Sequence, residues 1–224
     1  MTPPLKVLIV GYGKMGHLVD QLAVEQGMKV VGRVDEGRDE WTAADVAIDF
    51  STRDALLSNF DQYVQRRLQV VIGTTGWAED EPRLRADADR AGLGVVAAPN
   101  FSIGVNVFQI VVAEAAHRFA SHEQYGAWIH EAHHSTKRDA PSGTALLLRD
   151  AMKTAGYARN IDMSSTRAGA IPGTHTVGFD GASDTIELIH TARDRKGFAS
   201  GALLAARWIQ GRQGWYSMKD VLGG

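Results

Sequence analysis

Glu131 to Ala145, EAHHSTKRDAPSGTA, brings two histidines, a lysine and the start of a helix together in one short stretch. His133 and His134 suit proton transfer near neutral pH, because an unperturbed imidazole titrates at about 6.5. Lys137 adds a positive charge. Ser142, directly after Pro141, reads as a helix N-cap, so Gly143 and Thr144 would offer backbone N–H groups to a carboxylate at the positive end of the helix dipole. Either histidine alone would read as a solvated side chain. The convergence of the whole set points to a site that binds an anionic substrate and moves a proton. His130, Glu131, His133 and His134 also lie close enough to suggest a metal, but neighbours in a strand point to opposite faces and no H-E-x-x-H spacing is present. No metal is expected.

A second pattern lies near the N-terminus. Gly11-Tyr12-Gly13-Lys14-Met15-Gly16 matches G-x-G-x-x-G between an apolar run and a helical one, where glycines allow a tight turn and close approach of a pyrophosphate. Asp35 follows 19 residues beyond Gly16, at the end of the next apolar run, where a carboxylate can accept from an adenosine ribose. Asp35 and Glu36 together would repel a 2′-phosphate, which favours NAD(H). Arg33 and Arg38 keep NADP(H) as the alternative, since a cation nearby could swing toward that phosphate. Lys14 could touch the pyrophosphate. Phe50-Ser51 and Gly73-Thr74-Thr75 end two further runs, at the carboxyl edge where open α/β sheets bind ligands.

The elements that must position these groups follow from periodicity. Apolar runs at Leu5–Val10, 29–34, 45–50, 69–72 and 95–98 alternate with helical patterns, including Met15, Leu18, Val19, Leu22 and Ala23, then Leu56, Leu57, Phe60, Tyr63 and Val64, then a polar helix over 79–91. This is the grammar of a Rossmann-type doubly wound parallel sheet, an α/β fold. After Asn100 it changes to a helix over 103–119, a strand over 125–131, a helix over 145–152, a hairpin of 174–179 with 185–191 turning at Asp180-Gly181, and a final helix over 201–210. The second domain is therefore α+β, and the boundary falls near residues 100–105. Trp128, Trp208 and Trp215 read as packing residues.

Composition bounds the function. The chain has 224 residues, 44% hydrophobic and 22% charged, with 24 basic and 26 acidic side chains and a net charge of -2. No field of positive charge is available for a nucleic acid. The absence of cysteine excludes disulfides, thiolate metal sites and a thiol nucleophile. No apolar run approaches the roughly 18 residues of a membrane span, and MTPPLKVLIVGYG lacks the plan of a signal peptide, so the expected setting is the cytoplasm, with no membrane partner.

EAHHSTKRDAPSGTA resembles the signature of the 4-hydroxy-tetrahydrodipicolinate reductases, also called dihydrodipicolinate reductases. DFS, GTTGW, APNFSIGVN, AGAIPGTHTV and KDVL occur in that family's order across nearly the whole chain. The resemblance implies a dinucleotide-binding domain over 1–104 and 197–224, a substrate-binding and oligomerisation domain over 105–196, and a homotetramer. It makes His133 the proton donor or acceptor and Lys137 the second acid. His134, Ser142, Gly143, Thr144 and Arg195 would bind the cyclic dicarboxylate substrate. Gly73, Thr74, Thr75, Ala98, Pro99, Asn100 and Phe101 would line the nicotinamide. The glycine loop is one residue shorter than the family's usual form, the connection from Asp35 to Asp45 is reduced, and residues 159–166 replace a longer segment, which leaves the adenosine contacts open. Two other readings share the first domain: a nicotinamide-dependent dehydrogenase of a small amino acid or imine, and a dinucleotide sensor without catalysis. The sensor would need neither His133 nor Lys137.

Overall fold

A computed structural model describes residues 3–223, apart from the side chains of Arg38 and Asp39. The chain divides into two compact units, Met1–Ile103 with Lys196–Gly224, and Gly104–Arg195.

The first unit runs β1 (Lys6–Val10), α1 (Lys14–Glu25), β2 (Lys29–Asp35), β3 (Arg38–Asp39), β4 (Val46–Asp49), α2 (Arg53–Arg66), β5 (Gln69–Ile72), α3 (Glu81–Ala91) and β6 (Gly94–Ala97), then returns with α6 (Lys196–Trp208), β11 (Gly214–Tyr216) and α7 (Met218–Val221). Its sheet has the order β11-β6-β5-β4-β1-β2-β3, parallel except for β3. The near-continuous apolar runs have a direct cause. Val7 and Ile9 face one layer with α1 and α6, Leu8 and Val10 face the other with α2 and α3, and all four are buried. Each such side chain contributes roughly 1.5–3 kcal/mol relative to exposure. The connection reverses direction between β2 and β4, on either side of β1, which places the loops after β1 and β4 side by side at the carboxyl edge.

Two strands of this sheet escaped the periodicity. β3 has two residues and β11 three, too short to show an alternation. The final helix begins at Lys196, ahead of the expected Gly201. Gly197 and Gly201 weaken the helical signal, yet Gly201 packs directly on the Phe101 carbonyl, where a Cβ has no room.

The second unit contains α4 (Ile103–Phe119), β7 (Gly126–His133), α5 (Gly143–Thr154), β8 (Ile161–Arg167), β9 (Thr174–Asp180) and β10 (Thr185–Thr191). The strand order is β10-β9-β7-β8, with β7 and β8 parallel and the other pairs antiparallel. Ala127, Ile129, Val177 and Phe179 form one sheet face and share a buried cluster with Phe108, Val112 and Ala116 of α4 and Ala145, Leu148 and Met152 of α5. β8 reads IDMSSTR, too polar for a strand signal, and acquires strand geometry from its pairing with β7. The 174–191 hairpin turns over Gly181–Asp184, with the Gly181 amide donating to the Asp184 carbonyl at 3.0 Å. Among the described residues, no helix is long and apolar enough to cross a membrane.

Candidate active site

In the second unit, strand period places Glu131 and His133 on one face of β7, while register sets His175 opposite Glu131 and Arg167 beside His133. Glu131 is fully buried. Its Oε2 accepts from His133 Nδ1 at 2.5 Å and Arg167 Nη1 at 2.8 Å, and its Oε1 accepts from Arg167 Nη2 at 2.6 Å and the Ser142 amide at 3.2 Å. A carboxylate bound at Nδ1 puts the proton there and leaves His133 Nε2 as the exchangeable position. Burial pushes the Glu131 carboxyl up, but Arg167, Ser165 and His133 outweigh it and hold it at about 2.

Ser142 caps α5 as the sequence suggests, accepting from the Ala145 amide at 3.2 Å, an arrangement worth about 1 kcal/mol. The same hydroxyl lies 3.0 Å from His175 Nε2. Gly143 and Thr144 open the helix. Lys137 is ion-paired with Asp139 through two contacts of 2.7 and 2.9 Å, and Lys137 in turn holds the Asp139 carboxyl below the usual range. The loop between β7 and α5 is fixed at Asp139, whose carbonyl accepts from Arg167 Nη2 at 2.6 Å, and at Ser135, whose amide donates to the Gly169 carbonyl at 3.1 Å. His134 stands half-buried beside this loop, with Nδ1 2.8 Å from Thr136 Oγ1. Arg195 is exposed in the turn before α6, and among the described residues no hydrogen bond or ion pair joins it to this cluster. An exposed arginine flanked by Asp194 and Lys196 has no packing to aim it. Glu131, Arg167, His175 and Asp139 are the residues that sequence reading missed. Glu131 alone left a signal, two positions before His133 in a strand.

His175 gives a pH prediction. Burial, reinforced by the neighbouring His133, lowers its pKa to about 4, against about 6.5 when unfolded. Above pH 6.5 neither state takes the proton. Between about 6.5 and 4 the unfolded chain takes it and the folded chain refuses it, so stability falls with pH. The contribution of Glu131, present above about 4.5, is lost as pH drops further toward 2. Urea midpoints at pH 7.5 and 5.0 should show a clear loss for the native sequence and a smaller one for His175→Gln; equal losses would remove His175 as the cause.

In the first unit, Gly11 turns at φ +82° and its amide donates to the Val34 carbonyl at 2.8 Å. Side chains at Gly11 or Gly16 would collide with backbone, of Phe50 and Ser51 in the first case and of Gly11 in the second. Gly13 caps α1 and Lys14 opens it, exposed. Tyr12 and Met15 are half-buried against the core. A cavity of about 580 Å³ joins Gly11, Gly13, Asp35, Glu36, Phe50 and Ser51. This combination of a glycine turn, a helix N-terminus and an exposed carboxylate at a strand end fits an adenosine diphosphate.

Arg33 is engaged by Asp20. Its Nε and Nη2 donate to the two oxygens of Asp20 at 2.6 and 3.0 Å, and Nε also reaches the Tyr12 hydroxyl, which itself donates to Asp20. Burial pushes the Asp20 carboxyl up, but Arg33 and Tyr12 outweigh it and hold it below the usual range. The side chain of Arg38 lies outside the described residues.

A second cavity, of about 520 Å³, is lined by Thr74, Thr75, Ala98 and Pro99 with Trp77 and Trp215. Gly73 lies against the Phe50 ring, which leaves no space for a Cβ. Asn100 is turned to the chain, accepting from the Ser102 amide at 2.8 Å. Phe101 is buried in the core, edge-on to Phe50, as an apolar ring at the end of this loop gains from burial. Trp215 both packs near Phe60 and Trp77 and lines the cavity. Trp128 covers Gly178, and Trp208 packs edge-on to Tyr216. Among the described residues, no group of three or more histidines or carboxylates could hold a metal ion.

The family models described as dihydrodipicolinate reductase, N-terminus and C-terminus, match residues 5–101 and 104–222. The chain belongs to the dihydrodipicolinate reductase family. A 4-hydroxy-tetrahydrodipicolinate reductase of Christiangramia forsetii is 34% identical over 97% of this chain and 98% of its own. One from Archaeoglobus fulgidus is 36% identical over 94% and 96%. Among solved structures, dipicolinate-bound dihydrodipicolinate reductase from Paenisporosarcina sp. TG-14 has a TM-score of 0.82 at 22% identity, covering 96% of this chain and 97% of that one, and so shares the fold of a dihydrodipicolinate reductase.

Proposed function

We propose that this member of the family reduces 4-hydroxy-tetrahydrodipicolinate to tetrahydrodipicolinate with a nicotinamide dinucleotide, in diaminopimelate and lysine biosynthesis. The observation that carries the reading is the ordered cluster at the start of α5, where a buried carboxylate sets the His133 tautomer beside a lysine and a capped helix. Lys137, Gly143 and Thr144 bind a substrate carboxylate, Ser142 holds the helix start that presents those amides, and His134 adds a polar group from the same loop. Arg195 reaches the second carboxylate from its exposed turn.

When bound, the nicotinamide supplies the hydride. The 4-hydroxyl of the substrate leaves as water, the conjugated ring so formed takes the hydride, and the enamine left behind takes up one proton, with His133 as its donor and Lys137 as the second acid. The charge of Lys137 and the start of α5 also offset the dianion as the reaction proceeds. Gly11, Gly13, Lys14 and Gly16, with the backbone of Tyr12 and Met15, hold the pyrophosphate. Asp35 accepts from the ribose, and Phe50, Ser51, Gly73, Thr74, Thr75, Ala98, Pro99 and Asn100 border the remaining path, with Phe101 supporting it from the core.

NADH is favoured. Asp35 and Glu36 stand exposed at the cavity, and Arg33 is held by Asp20. Replacing Asp35 with a neutral residue should therefore weaken NADH more than NADPH; an unchanged affinity ratio would remove Asp35 from cofactor choice. The enzyme acts in the cytoplasm as a homotetramer, with the second unit making the subunit contacts. The deciding assay is the loss of absorbance at 340 nm when the protein meets freshly made 4-hydroxy-tetrahydrodipicolinate with NADH or NADPH. Rapid oxidation is expected. No oxidation by protein that binds NADH would redirect the reading to another substrate or to a sensor.

A further inference from the structure

Asp49, the last residue of β4, is fully buried, yet its carboxylate is in contact with four donors that are all neutral. Oδ1 accepts from the Ser51 amide at 2.9 Å, the Ser51 hydroxyl at 2.6 Å and the Thr74 hydroxyl at 2.8 Å, while Oδ2 accepts from the Tyr63 hydroxyl at 2.6 Å. Its carbonyl takes the amides of Gly73 and Thr74 at 2.8 and 3.2 Å. One residue thus fastens the loop after β4 to the loop after β5. Ser51 lines the cavity that contains Gly11 and Asp35, and Thr74 lines the cavity that contains Ala98 and Pro99. Asp49 stands behind both.

A carboxylate removed from water among neutral donors is costly, and an apolar side chain could join two parallel strands without that cost. What an apolar side chain cannot do is fix two loops by direction. Hydrogen bonds to one carboxylate do so, and they turn the Ser51 and Thr74 hydroxyls inward.

We propose that Asp49 is a positioning residue for the dinucleotide, holding the loops after β4 and β5 as one rigid floor beneath both of its halves. The inference rests on the cofactor reading above. It assigns Asp49 no contact with the reacting atoms. Its effect is on how well the two loops are placed before the nucleotide arrives, and a small misplacement of such groups is enough to cost one to two orders of magnitude.

The test uses the full chain with NADH followed by fluorescence titration and by steady-state kinetics. Thr74→Val keeps the side-chain shape and removes the hydroxyl that reaches Asp49, and should raise the NADH dissociation constant and KM roughly tenfold, with a smaller change in kcat. Thr74→Ser, which restores the hydroxyl, should recover most of the affinity. Asp49→Asn should weaken NADH at least as much as Thr74→Val if it folds. Tyr63→Phe loosens only the tie to α2 and should lower thermal stability while leaving the NADH KM within about twofold. Native affinity in Thr74→Val, or equal weakening by Tyr63→Phe, would overturn the inference and reduce Asp49 to a packing role. Failure of the unmodified chain to bind NADH would overturn the cofactor reading itself and this inference with it.

Discussion

Lys137→Ala is expected to lower turnover by roughly 10² or more, the usual contribution of a positioned acid, while NADH affinity stays as it is. Lys137 sits in the second unit, and the glycine turn with its cavity is built wholly from the first. In the structure the ammonium is already committed to Asp139 through two contacts. A substrate carboxylate must therefore compete with Asp139 for the same charge. Removing the lysine deletes the attraction and leaves Asp139 as a like charge beside the incoming dianion, so KM for the substrate rises as turnover falls. Lys137→Arg separates the two roles. It keeps the charge but cannot release a proton near neutral pH, so it should restore substrate KM more fully than kcat. Loss of NADH binding in Lys137→Ala, or retained turnover, would remove Lys137 from the chemistry.

Glu131→Gln should also reduce turnover by roughly 10² or more, by taking the carboxylate partner from His133 rather than by unfolding the site. The argument follows from which donors face each oxygen. Oε1 faces Arg167 Nη2 and the Ser142 amide, neither of which can accept a hydrogen bond. Oε2 faces Arg167 Nη1 and His133 Nδ1, and the imidazole can switch from donor to acceptor. The Ser165 hydroxyl, also bonded to Glu131, can take either role, so the two fixed donors at Oε1 leave the NH2 of a glutamine amide facing His133. Nδ1 then faces a neutral amide, and the imidazolium that gives up the Nε2 proton loses the carboxylate that held and oriented it. NADH affinity should be unchanged and the fold retained. Glu131→Ala is harsher, because the buried Ser142 amide loses its acceptor at a cost of about 1–3 kcal/mol and α5 loses one of its ties. Wild-type turnover in Glu131→Gln would show that His133 does not depend on its carboxylate partner.

Both predictions concern groups of unequal legibility. His133, Lys137 and Ser142 stand together in the chain, so residue type and spacing were enough to mark them. The glycine turn and Asp35 were equally plain, because a turn that needs a positive φ and a helix start leaves a local pattern. The apolar runs of β1, β4, β5 and β6 were readable for a related reason: strands buried on both faces must be apolar at nearly every position.

Other residues had no such pattern to leave. Arg167 lies on β8, a polar strand that exists because β7 offers it hydrogen bonds, and it reaches Glu131 across 36 residues of chain. Asp49 looked like the polar end of an apolar run, and only its burial among Ser51, Tyr63 and Thr74 shows its use. Arg33 shows the reverse case: a cation near a nucleotide turn reads as an anion binder until Asp20, two turns into α1, is seen to occupy it. The sequence by itself determined the two-unit plan, the glycine turn and the grouping of His133, Lys137 and Ser142, since each depends on contacts between near neighbours or on simple periodicity. The tertiary structure alone decided which buried charges meet, which tautomer His133 adopts and which arginine is taken, because those depend on strand register and on side chains that chain distance does not bring together.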